Sequence, residues 1–368
     1  MSKTIPMPVI EASGSPYKIG FAHGSQAKAE VLCSIKTYQS MFLSYANLKW
    51  EDAKRKSVNY IPYIDQFDPD LMKEIQGVAD GAEVEMEDIL ALNARSEVVM
   101  TTSGVPNEEL TDGCTAFSVT GDGAREGHIL LAQNWDWKGT QIDSLAVLKI
   151  KQNGGKPDIT MVTEAGIIGK IGCNSAGLGI CLNALATPVL PEGVPLHIVL
   201  RGILNSVKIS DAIGKVNARR HACAANYLIA HRNGASVNIE KTPKEFEVIS
   251  PENNLLVHTN HMVSPRLHRV NDTTRLLLPD SYVRLHRAKT LLQKRNGSID
   301  VEYCKNVLTD HVEYPDSICR HDDPLDGPGF RGCTVFSLIA NLSEGKIWVA
   351  KGAPCQSEYQ LIQTGSVT

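Results

Sequence analysis

Apolar positions along the first hundred residues recur every three to four places. In "HGSQAKAEVLCSIKTYQSMFLSYA" (23–46), Ala27, Val31, Ile35, Tyr38 and Phe42 share one side of a 3.6-residue period, which predicts an amphipathic helix. "DPDLMKEIQGVADGAEV" (68–84) repeats the pattern at Leu71, Ile75 and Val78 behind an Asp68 cap, and "EMEDILALNARSEVVM" (85–100) predicts a third helix. "TTSGVPNEELTDG" (101–113) is polar, carries glycine and one proline, and reads as a loop.

After Gly113 the period drops to two. Short strands are expected at 114–120, 128–135, 145–152, 158–165, 169–176 and 178–185, separated by glycine or asparagine turns. One or two helices in 193–217 interrupt the series. Strands resume at 222–232, 235–242, 245–250 and 254–260, a helix follows at 281–295, and 333–352 closes as a hairpin. A helical block, then hairpin-joined strands with later helices, predicts an α+β fold of antiparallel sheets faced by helices.

Composition narrows the setting. A chain of 368 residues is long enough for one large layered domain, and a formal charge of −4 with both signs interspersed excludes nucleic acid and membrane surfaces as expected partners. No run of about 18 apolar residues is present, so no membrane span is expected. The N-terminus lacks a secretory apolar core, and the nine cysteines form no CxxC pair. Reduced thiols in the cytoplasm are the expectation.

Two cysteines sit in near-identical phrases, "DGCTAFSV" at Cys114 and "RGCTVFSL" at Cys333. A hairpin centred near Arg125 would set Asp136 opposite Cys114, whereas Lys351 and Gly352 fall opposite Cys333. Gly113 before the first cysteine could adopt backbone angles closed to other residues and strain the Gly113–Cys114 bond. A thiol there can attack its own preceding carbonyl, take the acyl group onto sulfur and lose it to water. The product is an N-terminal cysteine whose α-amino group, with an ordinary pKa of about 8, serves as base for the thiol. A nearby aspartate would orient the ammonium form. The competing interpretation makes Cys114 a small buried hydrophobe at a strand start.

With these residues stand "LAQNWDW", "VTEAGIIGKIGCNSAGLGICLNAL", "GVPLHIVLR", "VHTNH", "YPDSICR" and "SPYKIGFAHG". Together they resemble the acyl-coenzyme A:6-aminopenicillanic acid acyltransferase family, the cysteine branch of the self-cleaving N-terminal nucleophile hydrolases, over about residues 10 to 350. The resemblance implies a four-layer αββα sandwich, cleavage between Gly113 and Cys114, and Cys114 as nucleophile. It also implies Asp136 near the nucleophile's amino group, Asn260 as an oxyanion amide and Arg331 as an active-site arginine, with Asn183 a further asparagine near the oxyanion. A helical pro-segment of 1–113 and a nucleophile-bearing piece of 114–368 would stay associated within one structural domain, their oligomeric state open. Phe330 stands where fungal penicillin-forming members carry serine, and the chain ends "GSVT" rather than in a peroxisomal tripeptide, so neither a penicillin substrate nor that address is expected.

Hydrolysis of a small N-acyl or aminoacyl amide through a Cys114 thioester is therefore expected. Acyl transfer from coenzyme A or an amide donor to an amine is the alternative, and an uncut, non-catalytic binding member a second. His258 and His261 with His311 and His321 invite a metal, but no carboxylate or cysteine completes a ligand set at recognisable spacing, so neither metal nor cofactor is expected. Papain-type signatures around Cys114 are absent. "GLGIC" and "GIIGKIG" do not lead from a strand into a helix, and read as sheet packing and turns.

Overall fold

Two sheets stacked face to face carry the molecule, which a computed structural model describes at residues 6–103, 113–187, 192–217, 220–267, 269–270, 272–323, 325 and 332–364. The larger sheet runs β1 (Val9–Gly14), β4 (Leu145–Gln152), β5 (Ile159–Glu164), β6 (Ile171–Asn174), β7 (Leu178–Ala184), β8 (Ala225–His231), β9 (Ser236–Lys241), β10 (Phe246–Ile249). The smaller runs β11 (Leu255–His258), β2 (Gly113–Val119), β3 (Leu130–Trp137), β12 (Cys333–Asn341), β13 (Lys346–Lys351), β14 (Gln360–Gln363). Strands β2 and β3 lie against β7, so the inner faces form the core between the layers. Each fully buried aliphatic side chain there contributes about 1.5–3 kcal/mol.

Helices cover both outer faces. On the larger sheet lie α1 (Pro16–Gln26), α2 (Lys28–Ala46), α8 (Leu196–Leu204) and α9 (Ile209–Asn217), joined by α3 (Trp50–Ser57), α4 (Ile61–Phe67), α5 (Pro69–Ala82), α6 (Met86–Asn93) and α7 (Arg95–Ser103). After the short α10 (Thr274–Leu277), α11 (Asp280–Lys294) packs on β11 and β2, and α12 (Val301–Leu308) on β3 and β12. The result is the four-layer αββα sandwich of the N-terminal nucleophile hydrolases.

Several elements depart from the sequence pattern. β1 pairs parallel with β4, so the larger sheet is not wholly antiparallel; the long excursion through seven helices permits a parallel return that no tight hairpin could make. Ala27 leaves helical geometry, splitting the helix expected at 23–46 between α1 and α2. α1 begins earlier than expected because Ser15 caps it, accepting from Lys18 N–H, with Pro16 at its first turn. The 85–100 helix divides at Ala94, and residues 101–103, expected as loop, continue α7. Most of that loop lies outside the described residues.

α1 and α5 meet backbone to backbone. A Cβ at Gly20 would stand 2.0 Å from Glu74 O, and one at Gly77 would stand 2.2 Å from Tyr17 O. Glycines four apart on each helix, Gly20/Gly24 and Gly77/Gly81, make this approach possible.

Candidate active site

Cys114 is fully buried near the start of β2. Its thiol side belongs to the inner face shared with Ala116, Leu131 and Trp135, while Phe117, Leu130 and Ala132 pack beneath α11 and α12. The partner opposite Cys114 is Trp135, and Asp136 stands opposite Gly113. This corrects the expected register by one residue. The 120–129 connection closes on the pair Val119–Leu130 through two 3-10 turns, so its centre falls between Ala124 and Arg125. Since side chains alternate along a strand, Asp136 shares the Gly113 side, away from the Cys114 thiol.

Gly113 is extended in β2 and does not have a positive φ. The expected backbone strain is thus not what requires glycine here. Space is: a Cβ would meet both Cβ and Oδ2 of Asp136 at 3.0 Å and Arg320 Nη1 at 3.4 Å.

Both polar groups of Cys114 are held. Its N–H donates to Asn260 Oδ1 at 2.8 Å, and its carbonyl accepts from Arg284 Nη1 at 2.6 Å. Arg284 also donates through Nη1 to Thr115 Oγ1 at 3.1 Å and through Nη2 to Asn260 Oδ1 at 3.0 Å. Asp280, one turn earlier on α11, accepts from Arg284 Nε at 2.7 Å and pairs with Arg320 at 3.2 Å. Asn260 lies just beyond β11; its backbone N–H donates to Ser281 Oγ at 2.8 Å, and its side-chain amide to Ala184 O at 3.3 Å.

Asp136 Oδ1 accepts from Thr334 Oγ1 at 2.7 Å. Burial pushes this carboxyl above the ordinary aspartate range, against the opposing pull of the Arg284 and Arg320 guanidiniums. The repeated phrase now has a structural meaning. Its two copies, on β2 and β12, flank β3 on either side, and Thr115 and Thr334 place their hydroxyls on Arg284 and Asp136. Cys333 pairs with Trp137, and burial together with Asp322 and Asp136 pushes its thiol up to about 12.

The remaining sequence candidates divide. Asn183 is buried on β7, donating to His258 O at 3.3 Å and accepting from Asn226 at 3.0 Å, so it lines the polar layer beside β11. Arg331 lies outside the described residues. His258 is committed to Glu240 at 2.8 Å, while His261 contacts Ser281 and stacks on Tyr282. His311 and His321 do come together, joined by Cys319 and Cys355 in one cluster. That corrects the expectation that no cysteine completes a ligand set: Cys355 is distant in sequence and reaches the others only through the fold.

Arg284, Asp280 and Arg320 were missed as site residues. One cue was available: Arg284 lies on the same helical stripe as Ser281, Ala288 and Leu292, all buried. An arginine on an apolar stripe must find partners inside. A second missed group is Lys170, buried 3.5 Å above the Trp135 ring and paired with Glu164 at 2.9 Å. Despite the desolvation that opposes it, Lys170 and Arg95 hold Glu164 down to about 2.

The αββα layers with a cysteine near the head of an inner-sheet strand define a protein of N-terminal nucleophile hydrolase architecture. Residues 122–356 match the family Acyl-coenzyme A:6-aminopenicillanic acid acyl-transferase. The chain is 32% identical over 363 residues, 97% of its length and 96% of the relative's, to the acyl-coenzyme A:6-aminopenicillanic-acid-acyltransferase 40 kDa form of Emericella nidulans. The chain belongs to this family. Among solved structures, a mutant conjugated bile acid hydrolase from Clostridium perfringens aligns with TM-score 0.46 and 12% identity, covering 69% of this chain and 97% of that one. Penicillin V acylase from Agrobacterium tumefaciens aligns with TM-score 0.44 and 13% identity, covering 65% and 83%.

Proposed function

We propose that this chain is the precursor of a cysteine enzyme that cleaves itself between Gly113 and Cys114 and then hydrolyses a small N-acyl or aminoacyl amide. The observation that carries this is the clamp on Cys114, with Asn260 on its N–H and Arg284 on its carbonyl. Such fixation orients the scissile nitrogen relative to the thiol, the positioning that an intramolecular acyl shift needs. Buried backbone groups need partners in any case; what favours a reacting bond here is that both partners are side chains, and that the same Asn260 oxygen also holds Arg284.

In the first reaction Cys114 Sγ attacks the Gly113 carbonyl carbon. The C–N bond breaks as a proton reaches the Cys114 nitrogen, and water hydrolyses the thioester. Asp136, beside Gly113, is the buried acid at the bond. The mature Cys114 amine then takes the thiol proton, sulfur attacks the substrate carbonyl, and the amine returns the proton to the leaving group. Asn260 and Arg331 complete the catalytic set, with Asn183 on β7 as a further asparagine near the oxyanion. Since the thiol is fully buried in the continuous chain, cleavage precedes turnover.

Residues 1–113 are the pro-segment and 114–368 the catalytic piece. Their continued association is supported by the β1–β4 ladder, by Tyr38 donating to Glu164 at 2.5 Å, and by Asn93 donating to Gly166 O at 2.9 Å. A cavity of about 510 Å³ opens at the residue after Asn260, its wall mixing Met262, Val263, Leu267, Val270 and Tyr282 with the polar His261 and Asp272. No described helix is long and apolar enough to cross a membrane. All nine cysteines stand unbridged, in keeping with a reducing cytoplasm.

A second assignment, transfer of an acyl group from coenzyme A to an amine, draws on the similarity to the Emericella nidulans protein. Both share the thioester and differ in the acceptor. N-terminal sequencing of the larger fragment is the test, and Cys114 is the residue expected first. Mass measurement of an acyl group trapped on Cys114 identifies the substrate class. A fragment starting elsewhere, or turnover by fully uncut protein, rules the mechanism out.

A further inference from the structure

On the outer side of the smaller sheet, two histidines and two cysteines point their donor atoms at one another. His311 Nε2 and His321 Nε2 are 3.1 Å apart, and Cys319 Sγ and Cys355 Sγ are 3.5 Å apart. His321 Nε2 is 3.6 Å from Cys319 Sγ and 3.3 Å from Cys355 Sγ, and all four atoms lie within 4.8 Å of one another. We propose that these residues form a structural zinc site of Cys2His2 type.

The geometry supports the ion. Zinc bonds of about 2.3 Å to sulfur and about 2.0–2.1 Å to nitrogen, set tetrahedrally, place ligand atoms roughly 3.3–3.8 Å apart. Four of the six ligand-atom separations, 3.1 to 3.6 Å, lie within or just below that range, and none exceeds 4.8 Å. Two thiolates and two neutral imidazoles also cancel the charge of a divalent cation. Without one, two sulfurs and two ring nitrogens face one another with only weak S–H donors and one shared N–H between them.

Three of the ligands come from one loop whose backbone is already folded. Tyr314 N–H donates to His311 O at 3.1 Å, Cys319 N–H to Asp310 O at 3.0 Å, and His321 N–H to Pro315 O at 3.0 Å. Asp310 is in turn held by Arg287 of α11 at 2.7 Å. The fourth ligand, Cys355, follows β13 behind a turn in which Gln356 N–H donates to Ala353 O. Four protein ligands leave no open position, so the ion is structural rather than a Lewis acid. It ties the end of the sheet to the loop that carries Arg320, the neighbour of two ligands and the partner of Asp280. The ion thereby fixes the side of the active site on which Asp136 and Gly113 lie.

The test uses the full chain, purified with a non-chelating reductant, stripped by a chelator and titrated with zinc and separately with cobalt. One equivalent per chain is expected, with the intense visible bands of four-coordinate cobalt bound by thiolates. Cys355→Ser and His311→Ala, both at exposed positions, should each abolish the stoichiometric uptake, while Cys114→Ala should retain it. Near-zero uptake by the reduced wild-type chain overturns the site, as does uptake that survives in both ligand variants. A Cys319–Cys355 disulfide that persists in the reductant overturns it too.

Discussion

Asn260 Oδ1 accepts from the Cys114 N–H at 2.8 Å and from Arg284 Nη2 at 3.0 Å, so one side-chain oxygen links the Cys114 nitrogen to the guanidinium that holds the Cys114 carbonyl. Removing it frees the Cys114 peptide to rotate. Asn260→Ala should slow self-cleavage by about 100-fold, the usual consequence of misplacing a reacting group by an ångström. A time course on denaturing gels measures it, and wild-type processing in this variant would end the positioning role.

The two cysteines of the repeated phrase should behave oppositely. Cys114→Ala should remain a single full-length band, because the attacking atom is gone. Cys333→Ala should still yield pieces of about one third and two thirds of the chain, since the Cys333 thiol is held protonated up to about 12. The reverse pattern on a gel exchanges their roles.

Gly113→Ala tests the contact with Asp136. The added methyl has 3.0 Å to Asp136 Cβ and Oδ2, so either the β2–β3 pairing or the carboxylate must shift. Processing should slow while Cys114 and Asn260 remain intact. Unchanged cleavage would show that the crowded arrangement around Gly113 is not needed.

Acid should destabilise the fold through buried neutral histidines. Burial, with Arg201 adding to it, lowers His23 to about 3, where Nε2 accepts the Gly166 N–H at 3.0 Å. An unfolded histidine titrates near 6.5, so below that value the unfolded chain binds the extra proton. This stabilisation is complete above about pH 6.5 and declines by about 1.4 kcal/mol per pH unit as pH falls towards 3. Urea unfolding at pH 7 and pH 5 should show the loss, and His23→Gln should make the slope shallower. Equal slopes in the two proteins would assign the acid sensitivity elsewhere.

Gly77→Ala should cost at least about 1–3 kcal/mol, because its Cβ would stand 2.2 Å from Tyr17 O and 2.8 Å from Phe21 N. The two helices must separate to admit it. Thermal melting compared with an alanine at Gly214, where nothing lies within 4 Å, separates this clash from helix propensity.

What the chain alone determined is local. Strand periodicity after Gly113, the helices at 68–84 and 281–295 and the C-terminal hairpin all rest on neighbours in sequence or one hairpin apart. The hairpin estimate put Asp136 next to the right segment and erred by one residue, because a ten-residue connection with two 3-10 turns has no sequence rule for its centre. Tertiary structure decided the rest. Arg284 reaches Cys114 across 170 positions and Thr334 reaches Asp136 across 198. Cys355 joins His321 across 34. Periodicity reports which face of an element is buried, but it cannot name the partner on the facing layer, and a buried charge or thiol takes its chemistry from that partner.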